Sequence, residues 1–222
     1  MSDEIAGLTK VLAKPIKPLV VILGGAKMET KIPVLENLLP KSTQILLGGG
    51  IANTYLWAKG YKVGKSLIDK KFKTSILKFC ESKKVILPTD YVIGALDGKK
   101  HQVLDFNRKF KVVGNWGIMD IGPKTVQLYA RHIKSAQTLI WNGAMGYFEQ
   151  PPFQFGTNSI ARLVASRSKG RAFGVCGGGE TVEILQKLNL MSDIDLVSTG
   201  GGAMLEFLAG KNLPGVDAVR DK

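Results

Sequence analysis

Six short, largely apolar runs punctuate the chain. They are Leu19-Val20-Val21-Ile22-Leu23, Ile45-Leu46-Leu47, Val85-Ile86-Leu87, Leu139-Ile140-Trp141, Ala172-Phe173-Gly174-Val175-Cys176 and Asp195-Leu196-Val197-Ser198. Their apolar positions are continuous rather than alternating, as in strands buried on both faces. Between the runs, residues 32–39, 51–59, 72–82, 126–135, 158–167, 182–188 and 203–208 follow helical periodicity. Strand and helix in that rhythm predict an α/β fold: a three-layer doubly wound sheet of about six parallel strands with helices on both faces. Residues 91–113 depart from it, with apolar and polar stretches around the turn pair Asp97-Gly98. They predict an antiparallel hairpin appended to the sheet. No linker or low-complexity segment divides the chain, so one compact domain is expected.

Four of the runs lead directly into glycines and then into a predicted helix. Leu23 leads to Gly24-Gly25-Ala26-Lys27, Leu47 to Gly48-Gly49-Gly50, Cys176 to Gly177-Gly178-Gly179-Glu180-Thr181, and Thr199 to Gly200-Gly201-Gly202-Ala203. In a parallel sheet the C-terminal strand ends share one edge, where α/β folds bind ligands. Glycine lets the backbone approach a ligand, and the free N–H groups of a helix start attract phosphate. A single glycine triplet serves tight turning as readily as binding. Three triplets and a Gly-Gly-Ala-Lys at one topological place favour a phosphate-bearing nucleotide.

Composition narrows the reading without redirecting it. Lysine and arginine total 31 against 18 acids, giving +13, and 45% of residues are hydrophobic. The excess suits anionic partners, but many lysines occur as exposed-looking pairs, such as Lys70-Lys71, Lys83-Lys84 and Lys99-Lys100. No nucleic-acid module or aromatic-flanked basic stripe accompanies them, so no nucleic-acid partner is expected. Cys80 and Cys176 form neither a metal pattern nor a disulfide framework, and Cys176 reads as a small core residue. The acidic start Met1-Ser2-Asp3-Glu4 is unlike a signal peptide, and no apolar run is long enough to span a membrane. A cytoplasmic monomer is expected.

Familiar phosphate motifs do not account for the glycines. Gly60-Tyr61-Lys62-Val63-Gly64-Lys65-Ser66 has three residues between its glycines where a P-loop has four, and it follows a helix-like segment. No G-x-G-x-x-G falls on a strand–helix turn, which argues against a Rossmann dinucleotide site. The ordered set does resemble a known family. Gly24-Gly25-Ala26-Lys27-Met28-Glu29-Thr30-Lys31-Ile32, Gly48-Gly49-Gly50-Ile51-Ala52-Asn53-Thr54, Trp141-Asn142-Gly143 through Gly146-Tyr147-Phe148-Glu149, Gly177 to Thr181, and Ser198-Thr199-Gly200-Gly201-Gly202-Ala203 are similar, in order, to motifs of the C-terminal, nucleotide-binding domain of the phosphoglycerate kinase family. The similarity runs from about Lys10 to the end.

The resemblance implies roles for individual residues. Lys31 contacts the phosphates of ATP or ADP, and Lys27 stabilises charge on the phosphoryl group in flight. Gly122 helps line the adenosine pocket, Glu149 accepts from the ribose hydroxyls, and Asn142 lies near the terminal phosphates. Gly178, Gly179 and Thr181 hold phosphate at a helix N-terminus, and Gly201 faces the transferred group. Glu180 stands where the family has a magnesium-binding Asp, so it is expected to hold Mg²⁺ with one extra methylene. These roles suit phosphoryl transfer, which is mostly positioning and charge stabilisation. Ala144-Met145 replaces the usual Pro and small apolar residue, and Thr30 takes a position often held by Asp. The family's other domain binds 3-phosphoglycerate through arginines and a histidine, and nothing before Gly24 supplies such a pocket. Residues 1–18 are therefore expected to be a connecting helix (residues 4–14) and a lead-in to the first strand, and residues 19–222 the nucleotide-binding domain. On this reading the chain supplies the ATP/ADP half of a phosphoglycerate kinase, phosphoglycerate being bound through a missing N-terminal domain. The alternative is a nucleotide-binding module that turns nothing over alone.

Overall fold

A run of five fully buried apolar residues forms the central strand of the computed structural model, which describes Leu8, Thr9, Val11, residues 14–107 and residues 109–211. In chain order the elements are β1 (Leu19–Leu23), α1 (Met28–Leu38), β2 (Gln44–Leu47), α2 (Gly49–Ala58), β3 (Lys62–Val63), α3 (Lys73–Phe79), β4 (Val85–Ile86), β5 (Asp90–Gly94), β6 (His101–Asp105), β7 (Lys111–Val112), β8 (Gly117–Ile121), α4 (Pro123–Ser135), β9 (Thr138–Asn142), α5 (Phe155–Ser168), β10 (Phe173–Gly177), α6 (Gly179–Lys187), β11 (Leu196–Ser198) and α7 (Gly201–Leu208). The expected connecting helix over residues 4–14 lies mostly outside the described residues. Leu8 and Val11 are described, and both are buried in the core.

The six predicted runs form one parallel sheet in the order β11-β10-β9-β1-β2-β4. The chain winds outward from β1 in one direction and from β9 in the other. The topological switch therefore falls between β1 and β9, as in doubly wound folds. Successive side chains of β1 point to opposite faces. Leu19, Val21 and Leu23 join one core with Met28, Leu35 and Leu208, whereas Val20 and Ile22 join another with Tyr129, Trp141 and Ile160. Helices α1, α3 and α7 cover the first face, and α4, α5 and α6 the second.

The region around Asp97-Gly98 is an antiparallel hairpin, β5 with β6, as its sequence predicts. It pairs with a third strand, β8, and is not hydrogen-bonded to the large sheet. Strand β8 escapes the sequence pattern because Asp120 interrupts an otherwise apolar run. Beneath this small sheet lies a third core of Leu56, Val63, Tyr91, Ile93, Phe110 and Ile118. All the helices but α3 begin two to four residues before their predicted starts, whereas α3 begins one residue after its own. In α2, α6 and α7 the added residues include glycines, poor helix formers that nonetheless make the first turn. In α1 the periodic segment put Pro33 in the opening turn; the helix starts at Met28, so Pro33 sits in its interior and leaves one carbonyl without its usual donor.

Candidate functional site

Strand register places the glycine loops together. Ser198, Gly177, Asn142, Leu23 and Leu47 are successive neighbours across five strands. All five strands therefore end on one row, and the four glycine loops leave from it. The segment after β9 crosses this row and is stitched to it. Gly24 N donates to Asn142 O at 3.0 Å, Gly25 N to Ala144 O at 2.7 Å, and Gly49 N to Met145 O at 2.8 Å. At Gly24 any Cβ would overlap the Ala144 carbonyl, so glycine is required for this approach.

Side chains complete the crossing. Asn142 is fully buried at the end of β9; its Oδ1 accepts from Lys31 Nζ, and its Nδ2 donates to Gly177 O at 2.7 Å. Thr181 Oγ1, equally buried, accepts from Gly143 N at 2.7 Å. Glu180 Oε2 accepts from Ala144 N at 3.2 Å. Gly178 precedes α6 with φ +94°, and Gly179 opens that helix onto free space. A Cβ on Gly201 would stand 3.2 Å from the Gly178 Cα, so the third and fourth glycine loops touch. Lys27 caps α1 from an exposed position, one turn before Lys31.

Lys31 is 7% exposed. Burial lowers its ammonium pKa to about 8; the nearby Glu180 carboxylate opposes the shift, and the Lys27 charge adds to it. The site thus holds a buried cation whose needs are only partly met, beside the free N–H groups of α6. An incoming phosphate would answer both.

Beyond the row, a cleft of about 560 Å³ opens between the large sheet and the three-stranded sheet. Its lining includes Gly25, Ala26 and Glu180 of the glycine row, the apolar Leu67, Ile68, Leu96 and Ile118, and Glu149. A lining of polar, glycine-row and apolar residues suits an amphipathic ligand with a charged tail and a flat body. Gly122 caps α4 behind this wall, where a Cβ would overlap the Asp90 carboxylate; its neighbour Ile121 reaches the cleft. The structure therefore gathers Lys27, Lys31, Asn142, Gly178, Gly179, Glu180, Thr181 and Gly201 at the glycine row, sets Glu149 along the cleft, and sets Gly122 behind it.

Other contributors were not singled out from the sequence. Asp120 lines the cleft and is 2% exposed, accepting from Gly156 N at 2.7 Å and Ile121 N at 2.9 Å. Burial pushes its carboxyl well above the ordinary carboxylate range, against the pull of those two N–H groups. Thr157 Oγ1 accepts from Met145 N at 3.1 Å and Gly146 N at 3.2 Å, fixing the crossing segment to α5. The near-P-loop lacks the strand–loop–helix setting of a phosphate loop, since Gly60 follows α2 and no helix starts at Ser66, the next helical turn beginning at Lys70, yet Lys65 and Ser66 line the cleft. Cys176 is fully buried, and burial pushes its thiol pKa up, consistent with a core role.

Comparison with known proteins agrees with this geometry. The family model for phosphoglycerate kinase matches residues 1–211. The phosphoglycerate kinase of Chloroflexus aggregans is 41% identical over 228 residues, covering 100% of this chain and 56% of that protein. The structure of phosphoglycerate kinase from Coxiella burnetii superposes with a TM-score of 0.90 at 40% identity, over 99% of this chain and 57% of that one. That from Pyrococcus horikoshii gives 0.84 at 30% identity, over 99% and 56%. The chain thus spans little more than half the length of the relatives it matches. With the family model covering nearly the whole sequence and the fold shared throughout, the chain belongs to the phosphoglycerate kinase family.

Proposed function

We propose that the chain supplies the nucleotide-binding half of a phosphoglycerate kinase, which transfers a phosphoryl group reversibly between 1,3-bisphosphoglycerate and ADP to give 3-phosphoglycerate and ATP. The observation that carries this reading is the single register row. It brings the Lys31–Asn142 pair, the Thr181–Gly143 bond and the start of α6 to one place. In this reading the phosphates of ATP or ADP lie on the N–H groups of Gly179 to Thr181 and accept from Lys31. Lys27 and Gly201 face the transferred group. The ribose lies on Glu149, and the base takes the apolar lining near Leu67 and Leu96, with Gly122 behind that pocket. Asn142 orients Lys31 towards the terminal phosphates. Transfer is direct and in line, helped by positioning and fixed positive charge.

Magnesium fits the donor set. Among the described residues no group of three or more His, Cys, Asp or Glu side chains forms a protein cage. Glu180 offers one carboxylate oxygen beyond that held by Ala144 N. A hard cation held by one carboxylate, phosphate oxygens and water matches Mg²⁺. When bound, it would neutralise phosphate charge; Lys27 and Lys31 supply the fixed part of that charge.

On this reading residues 19–222 act as the nucleotide-binding domain, residues 1–18 as its connection, and the enzyme as a cytoplasmic monomer. Among the described residues no helix is long and apolar enough to cross a membrane. Calorimetric titration with Mg·ADP tests the proposal. Binding should be measurable and should weaken by roughly tenfold or more in Lys31→Ala, the loss expected for a hydrogen bond to a charged group. Absence of binding would overturn it. A second reading, binding without turnover by this chain alone, is favoured by the cleft itself, whose described lining holds no arginine or histidine for an anionic acceptor. A coupled kinase assay of the chain alone should give negligible turnover, and robust turnover would dismiss this second reading.

A further inference from the structure

Strands β3 and β7 form a two-stranded parallel ladder away from the large sheet. Their register sets Lys62 directly opposite Lys111. Like charges at directly opposed positions destabilise a sheet. Among the described residues, no ion pair involves Lys62, Lys70 or Lys111. All three lysines are exposed. The sole acid of residues 59–73 is Asp69, whose carboxylate accepts from Lys71 N. Lys62 and Lys70 line an open groove of about 590 Å³ together with Trp57, Tyr61, Ile68 and Val113, and Lys111 stands beside Lys62 across the ladder, next to the lining residue Val112. Val113 is 60% exposed, in the segment leading from β7 to Gly114.

The groove is open, and its lining combines the apolar Ile68, Val112 and Val113 with the cationic Lys62 and Lys70. We propose that it docks an acidic segment of a partner protein in which carboxylates flank an apolar residue. The carboxylates pair with Lys62, Lys111 and Lys70, and the apolar side chain rests on Ile68 and Val113. Charge complementarity sets the sign of the partner. Aromatic geometry decides against a polynucleotide. Single-stranded nucleic acid binds by stacking bases on open ring faces. Here the Lys73 ammonium lies over the Trp57 ring at 5.7 Å, and Tyr61 packs edge-to-face against Phe106 at 5.0 Å between centroids. Ile68 borders both this groove and the nucleotide cleft, so an occupied groove touches the wall formed by residues 65–68.

Fluorescence anisotropy of the full chain with a labelled peptide of alternating Glu and Leu tests the proposal, at low salt and at about 0.15 M ionic strength. The double variant Lys62→Glu, Lys111→Glu should weaken binding by roughly tenfold or more. Lys99→Glu with Lys100→Glu, on the exposed hairpin turn, makes the same change in net charge and should alter binding less than about twofold. Equal losses in both variants would mean diffuse attraction and overturn the proposal. So would tighter binding of a single-stranded oligonucleotide, or of vesicles of anionic lipid, that the Lys62 and Lys111 variant alone abolishes. The single variant Lys62→Ala guards against misfolding. It removes the repulsion, so it should leave the melting temperature equal or higher while weakening the peptide. A lower melting temperature with unchanged peptide binding would make the lysine pair structural and refute the docking role.

Discussion

Lys31 carries a charge that folding has largely removed from water, and two measurable consequences follow. Its ammonium has a pKa of 10.5 in an ordinary setting and about 8 in the folded chain, chiefly through burial. Between those values the unfolded chain holds a proton that the folded chain has released. Stability should therefore rise as pH climbs from about 8 towards 10, by up to about 3 kcal/mol. Thermal melts across that range should show the rise in the wild type and not in Lys31→Met. Nucleotide affinity should run the other way. Phosphate favours the protonated lysine, so Mg·ADP affinity should fall by about tenfold per pH unit above pH 8. Calorimetry that finds affinity flat to about pH 10 would remove Lys31 from the phosphate site. At this scale the sequence was only partly legible. Lys31 stood out through its motif, but its burial and its bond to Asn142 come from a residue 111 positions away. Asp120 and Thr157 gave no signal, because a buried acid or hydroxyl is told from an exposed one by packing alone.

At the scale of elements, α6 separates folding from binding within two adjacent glycines. Gly178 has φ +94°, and a Cβ there would lie 2.7 Å from Asn142 Nδ2. Gly178→Ala should destabilise the protein by about 1–3 kcal/mol and weaken Mg·ADP by displacing Asn142. Gly179 opens the helix with no heavy atom within 4 Å of its Cβ direction. Gly179→Ala should keep or slightly raise stability, by up to about 1 kcal/mol, yet fill space assigned to phosphate and weaken Mg·ADP. Chemical unfolding and calorimetry on the pair check this, and a Gly179→Ala protein with wild-type affinity would mean that phosphate sits elsewhere. The strands of the large sheet were legible because doubly buried strands need continuous apolar runs. Helix starts were not, since Gly49, Gly179 and Gly201 begin helices that propensity alone would start later. Local preference yields there to the tertiary frame that holds the first turn.

At the scale of the molecule, one strand joins the two cores on either face of the large sheet. Val20 and Ile22 face one, and Leu19, Val21 and Leu23 the other. Ile22→Ala removes a fully buried side chain that packs in the core with Tyr129, Trp141 and Ile160. It should cost about 2–5 kcal/mol and leave Mg·ADP affinity near wild type in the protein that remains folded. A large loss of affinity would show that site and core are less separable than the shared row suggests. Fold class was readable from the alternation of runs and helices, but the adjacency of β9 to β1 was not. It joins residues more than a hundred positions apart, and no local pattern encodes it. That adjacency makes the switch point, and the switch point gathers the site.

A crystal structure of the chain with Mg·ADP tests the central claim most directly. The account predicts the β-phosphate within hydrogen-bonding distance of Lys31 Nζ and of the Gly179 to Thr181 N–H groups, with the base near Leu67 and Leu96. Nucleotide bound elsewhere, with the glycine row free of phosphate, would contradict it.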